Sequence, residues 1–171
     1  IDAAQAFGTG HHETTTGCLE AIDRALKRRR YASMIDVGTG TGVLAIALAK
    51  RTRLPVLATD IDPIAVQTTI ENARDNGVSR NIIAIEATGL DHRQIATGAP
   101  YDMVVANILA GPLVALAPGV RKVTQPGATV ILSGILNTQA NRVISAYGLQ
   151  HIVLRHRIEK KEWTTLVLER V

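Results

Sequence analysis

Apolar positions along this chain switch period repeatedly, and each switch marks an element. From Glu13 to Lys27, the positions Thr14, Cys18, Leu19, Ile22 and Leu26 recur at helical spacing, and the run Ser33–Val37 that follows reads as a short buried strand. Residues 43–50, Val-Leu-Ala-Ile-Ala-Leu-Ala-Lys, are apolar nearly all round and open directly after three glycines. Residues 55–60 form a second short apolar run that ends in an acid, so a βαβ unit is predicted. Asp62-Pro63 then offers an N-cap acceptor with proline at the first helical position, which predicts a helix from Pro63 to about Asn76, just before Gly77.

Further strands are predicted at 82–86, 101–106, 128–133, 149–156 and 163–169, with helices near 112–123 and from Thr138 to Tyr147. The stretch from Gly89 to Pro100 is the longest without a regular pattern. Alternation of this kind predicts a mostly parallel sheet with helices on both faces and right-handed crossovers. No helix fits between Gln150 and the tail, so the last two strands are expected to pair as a hairpin through Arg157–Glu162, one of them antiparallel to the rest. The expectation is therefore a doubly wound α/β domain, with a seven-stranded, mostly parallel sheet closed by an antiparallel hairpin.

Composition narrows the picture. The 171 residues fall within one ordinary domain, and 46% apolar with 20% charged residues is a globular balance. The one cysteine, Cys18, cannot form an internal disulfide, and no apolar run approaches eighteen residues, so a cytoplasmic protein outside the membrane is expected. The net charge of +4 comes partly from Lys27-Arg28-Arg29-Arg30, which reads as the solvated C-terminal end of a helix or as a patch for an acidic partner. Phe7, Tyr31, Tyr101, Tyr147 and Trp163 are too scattered to stack exposed bases, so direct nucleic-acid binding is not expected. The chain opens at Ile1 and reaches a Gly-rich motif within seven residues, from which a missing N-terminal segment is expected.

The chemistry gathers where strands end. Asp36-Val-Gly38-Thr-Gly40-Thr-Gly42 joins the first strand to the next helix, the place where open α/β sheets bind ligands. Gly38 and Gly40 let the backbone turn tightly beside a bound group, and the helix N-terminus offers free N–H donors to a carboxylate or phosphate. Asp60 closes the second strand, where a carboxylate can accept both hydroxyl hydrogens of a ribose. A dinucleotide fingerprint needs its third glycine at 43, where Val43 stands, so the spacing favours adenosylmethionine over NAD. Asn107, ending the fourth strand, falls on the same sheet edge and is expected to face the cofactor. His11 and His12 are adjacent and have no Cys or paired carboxylates near them in sequence, so no metal is expected.

These residues, with Ala6-Phe-Gly-Thr-Gly-His-His12, Thr14-Thr15, Thr59-Asp60-Ile-Asp62-Pro63, Asn107-Ile-Leu-Ala-Gly-Pro-Leu113, Ser133-Gly-Ile135 and Glu162-Trp163, resemble the methyltransferases of large-subunit ribosomal protein L-eleven, the PrmA family, over essentially the whole chain. The resemblance implies a class I, Rossmann-like methyltransferase domain over residues 1–171. It implies S-adenosyl-L-methionine held by Thr15, Gly38, Gly40, Asp60, Ile61 and Asn107, with Phe7 and the 8–12 loop closing over it. Asn107 is the one residue it places at the reacting centre, and no general base is named. The implied substrate is a lysine or α-amino group of a ribosomal protein. Family members carry a separate N-terminal domain that grips that protein, and this chain starts where the domain would end. Two other readings stay open: a methyltransferase of glutamine amides or nucleic-acid bases, and a domain that binds the cofactor without turnover.

Overall fold

A computed structural model describes the backbone from Ala3 to Val171 and side chains from His11 onward. Seven strands lie in the order β3-β2-β1-β4-β5-β7-β6: β1 (Met34–Val37), β2 (Val56–Asp60), β3 (Ile82–Glu86), β4 (Tyr101–Asn107), β5 (Thr124–Leu136), β6 (Ile152–Lys160) and β7 (Trp163–Arg170). The first five are parallel, while β7 runs antiparallel between β5 and β6, as the missing helix after Gln150 requires.

Strand residues alternate between two cores. Met34, Met103 and Ile131 face helices α1 (Ala3–Arg28), α2 (Val43–Thr52) and α3 (Pro63–Asp75), where Cys18, Ile22, Leu44, Leu48 and Ala73 meet them. Their neighbours Ile35, Val104 and Leu132 face α4 (Arg93–Gly98), α5 (Ala110–Val123) and α6 (Ala140–Gly148), against Ile95, Leu113, Ala117, Val143 and Tyr147. This two-residue period is what a sheet buried on both faces imposes.

Helix signals act where expected. Asp62 Oδ1 accepts from the Ile64 N–H at 2.8 Å and caps α3, with Pro63 in the first turn. Lys27 and Arg28 form the basic last turn of α1, and Lys27 pairs with Asp23 one turn back.

Several boundaries differ from the sequence reading. The expected loop over 8–12 lies inside α1, which runs from Ala3 because no proline interrupts it and Gly8 and Gly10 each cost only about 1 kcal/mol. The stretch 89–100 contains α4, whose start is capped by His92 Nδ1 accepting from the Gln94 N–H; six residues around a single buried Ile95 carry no period to read. β5 is longer than 128–133 at both ends, with register shifts between Tyr101 and Met103 of its partner β4 and between its own Leu132 and Ile135. The hairpin connection is only Lys161-Glu162. β6 starts after the turn at His151 and extends through Arg157 and Glu159, charged residues at home on an edge strand.

Candidate functional site

The carboxyl ends of β1, β2 and β4 open into a cavity of about 770 Å³. Its floor is the β1–α2 loop. Gly38, Gly40 and Gly42 all adopt positive φ, at 70°, 58° and 84°. A Cβ on Gly38 would strike the Ile108 side chain, whereas one on Gly40 would meet open space. The loop is fastened on both sides: Gly38 and Thr39 N–H groups donate to Thr59 O at 2.8 and 2.9 Å. From α3, Thr69 Oγ1 donates to Gly40 O and Asn72 Nδ2 to Thr41 O.

Asp60 is clamped by the backbone. Its Oδ2 accepts from the Gly40 N–H at 2.9 Å and its Oδ1 from the Asp62 N–H at 3.0 Å. Each carboxylate oxygen thus keeps lone pairs for a ligand in the cavity it lines. Ile61 beside it is 66% exposed and lines the same space, an apolar surface ready to be covered. Ala87, Gly89, Pro112 and Leu116 complete an apolar wall.

Under the loop lies Asp36, 1% exposed, whose Oδ2 accepts from Thr39 Oγ1 at 2.8 Å and the Ala45 N–H at 3.1 Å. Burial pushes its carboxyl up to about 6, while these two donors pull the other way and the nearby Asp60 adds to the rise. The sequence reading used Asp36 only to mark the start of the loop; an acid inside an otherwise apolar strand was the available signal.

Asn107 lines the opposite side of the cavity. Its Nδ2 donates to Thr14 Oγ1 at 3.3 Å, and its Oδ1 is buried without a partner. Gly38, Gly40, Asp60, Ile61 and Asn107 are therefore brought together as expected. Thr15 is not: it does not line the cavity, although its hydroxyl is buried and unpartnered. The neighbour, Thr14, makes the contact instead, because it lies on the buried stripe of α1 with Cys18 and Ile22. Phe7 lies outside the residues whose side chains are described. His11 lines the cavity, and among the described residues no three His, Cys, Asp or Glu side chains cluster to hold a metal ion.

The family sequence model described as ribosomal protein L11 methyltransferase (PrmA) matches residues 1–171. The chain belongs to this family. Among curated relatives named ribosomal protein L11 methyltransferase, the protein of Brucella suis is 45% identical over 169 residues, covering 99% of this chain and 59% of its own length. That of Rhizobium etli is 48% identical over 173 residues, covering 99% and 58%. The chain thus spans under two-thirds of these L11 methyltransferases. A solved ribosomal protein L11 methylase from Lactobacillus delbrueckii subsp. bulgaricus superposes with a TM-score of 0.86 at 32% identity, over 94% of this chain and 80% of that one. An RNA methyltransferase from Salinibacter ruber, solved with S-adenosyl-L-homocysteine, shares the fold at a TM-score of 0.68 and 16% identity, over 88% and 90% of the two chains. The architecture of this L11 methyltransferase family member is that of class I methyltransferases.

Proposed function

We propose that residues 1–171 form the catalytic domain of a protein N-methyltransferase that uses S-adenosyl-L-methionine to methylate lysine or α-amino groups of ribosomal protein L11. The observation that carries this reading is the clamped Asp60 carboxylate, with lone pairs to spare, across an apolar cavity from the unpartnered Asn107 Oδ1. A nucleoside fits that pair of features: a ribose offers two hydroxyl donors to Asp60, and Ile61 offers a flat apolar contact to a base. Bound there, S-adenosylmethionine supplies an electrophilic methyl group.

The protein's own contribution is binding and alignment. Gly38 and Gly40 hold the loop in a left-handed conformation that a side chain would strain, and at Gly38 one would also strike Ile108. Asn107 Oδ1 is assigned as acceptor for an N–H of the incoming neutral amine, holding it for an in-line displacement; positioning of this kind supplies much of the rate in reactions that ask little covalent chemistry of the protein. Thr15 and Phe7 are assigned to cofactor binding on the family motif alone. The proposed partner is a protein, not a nucleic acid, and the proposed location is the cytoplasm; among the described residues no helix is long and apolar enough to cross a membrane.

Calorimetry with S-adenosylmethionine tests the reading. The chain is expected to bind it, and Asp60→Ala to weaken binding by roughly 1.5–3 kcal/mol for each charge-assisted hydrogen bond lost. An unchanged dissociation constant in that variant removes Asp60 from the site. Binding without methyl transfer to L11 by the full protein favours a cofactor-binding module over an enzyme.

A further inference from the structure

The buried stripe of α1 contains one hydroxyl whose use the cavity itself does not explain. Thr14 is 0% exposed and lies on the same helix face as Cys18, Ala21 and Ile22. A valine would fill this volume equally well and leave no polar atom to satisfy. The Thr14 hydroxyl has one proton, and it is given to the His11 carbonyl three residues back, at 3.3 Å. Towards Asn107 the oxygen can therefore act only as an acceptor.

An asparagine side chain can face a neighbour with either its nitrogen or its oxygen. Facing an acceptor, only the nitrogen side is favourable, because the flipped amide would set two lone-pair-bearing oxygens against each other. The observed contact obeys this: Asn107 Nδ2 donates to Thr14 Oγ1 and Oδ1 is left buried and free. We propose that Thr14 is a positioning residue, which fixes the orientation of the Asn107 amide so that its carbonyl oxygen is the group offered to the methyl-accepting amine. This rests on the methyltransferase reading for the identity of the amine, but the Thr14–Asn107 contact does not depend on it.

The helix is held firmly enough to serve. Gly17, one turn on, lies so close to β7 that a Cβ there would strike the Thr165 hydroxyl, and Thr165 in turn bonds Ser133 on β5 at 2.7 Å. Lys160 and Lys161 on the hairpin pair with Glu20 and Glu13 of α1. Thr14 is thus tied to the same β5–β7 frame that flanks β4, and the amide it orients does not follow a loosely attached helix.

Two variants separate this role from plain packing. Thr14→Val keeps the shape and removes the hydroxyl; Thr14→Ser keeps the hydroxyl. In protein with 15N-labelled asparagine, the Asn107 side-chain amide resonances, assigned by their loss in Asn107→Ala, are expected to move in Thr14→Val and to stay near the wild-type positions in Thr14→Ser. Methyl transfer to L11 by the full protein is expected to lose on the order of tenfold in kcat in Thr14→Val, with S-adenosylmethionine affinity within about twofold of wild type, because orientation and not cofactor binding is lost. Thr14→Val in an Asn107→Ala background is expected to cost nothing further. Unmoved Asn107 resonances, equal losses in the valine and serine variants, or fully additive losses with Asn107→Ala would each overturn the proposal. A wild-type protein that binds no S-adenosylmethionine instead overturns the functional reading, and the resonance comparison then still decides whether Thr14 orients Asn107.

Discussion

At the scale of single residues, Asp36 makes the site sensitive to pH. Its carboxyl sits at about 6 in the folded chain against 3.8 ordinarily, because burial disfavours the charge. Between those values the folded state holds a proton that the unfolded state has released, so stability falls as pH rises from about 4 to about 6 and is level above. Asp36→Asn is expected to flatten that slope, read as the difference in urea midpoint between the two proteins across the window. A cationic ligand in the cavity favours the carboxylate, so the affinity for S-adenosylmethionine is expected to weaken as pH falls below about 6, measured by calorimetry on either side of that value.

The glycines of the loop divide in the same way. Gly38→Ala adds a clash with Ile108 to the strain of a left-handed alanine, whereas Gly40→Ala has strain alone, with open space around its Cβ. Gly40→Ala is expected to cost about 1–2 kcal/mol. Gly38→Ala should cost a further 1–3 kcal/mol, roughly, for overpacking, and chemical denaturation of the two variants reads the difference. The places of Asp60, Gly38, Gly40 and Asn107 at the cavity were legible in the sequence because each ends a strand or follows one, where position alone predicts a sheet edge. Thr14 was not legible as a contact. Thr14 and Thr15 are adjacent threonines, and which of them turns towards β4 depends on the rotation of α1, set by packing further along the helix.

At the scale of elements, α1 depends on a close approach to the sheet. Gly17 allows it to lie directly on β7, and alanine there, ordinarily favoured in a helix by up to about 1 kcal/mol, is expected to destabilise because its Cβ meets Thr165. A lower thermal midpoint for Gly17→Ala, recovered in part by adding Thr165→Ala, checks this. The glycine-led apolar run of α2, the cap of α3 and the short apolar run of β2 made these elements readable to within a residue or two: Asp62-Pro63 marks the start of α3 in the sequence and in the structure alike. Where signals are short or charged they failed. α4 has one buried side chain, Ile95, and the second half of β6 is charged because an edge strand shows one side to water. The bends in β5 at its register shifts depend on partners on both sides and leave no local pattern beyond Gly127 and Gly134.

At the scale of the molecule, the order β3-β2-β1-β4-β5-β7-β6 brings the first, second and fourth strand ends to one cavity, and the alternation of strands and helices was enough to anticipate the sheet and its antiparallel hairpin. The place of β7 inside that order also bears on how the chain is made. A nascent chain that has emerged as far as Lys160 holds β5 with one edge open and β6 with no neighbour, since the strand that joins them comes after both in sequence. Vectorial synthesis therefore cannot complete this sheet outward from the middle, one strand at a time. The hydrogen-bonding edge of β5, rich in Val130, Ile131 and Leu132, stays available to other chains until Trp163–Arg170 appears, an interval in which pairing between nascent chains competes with folding.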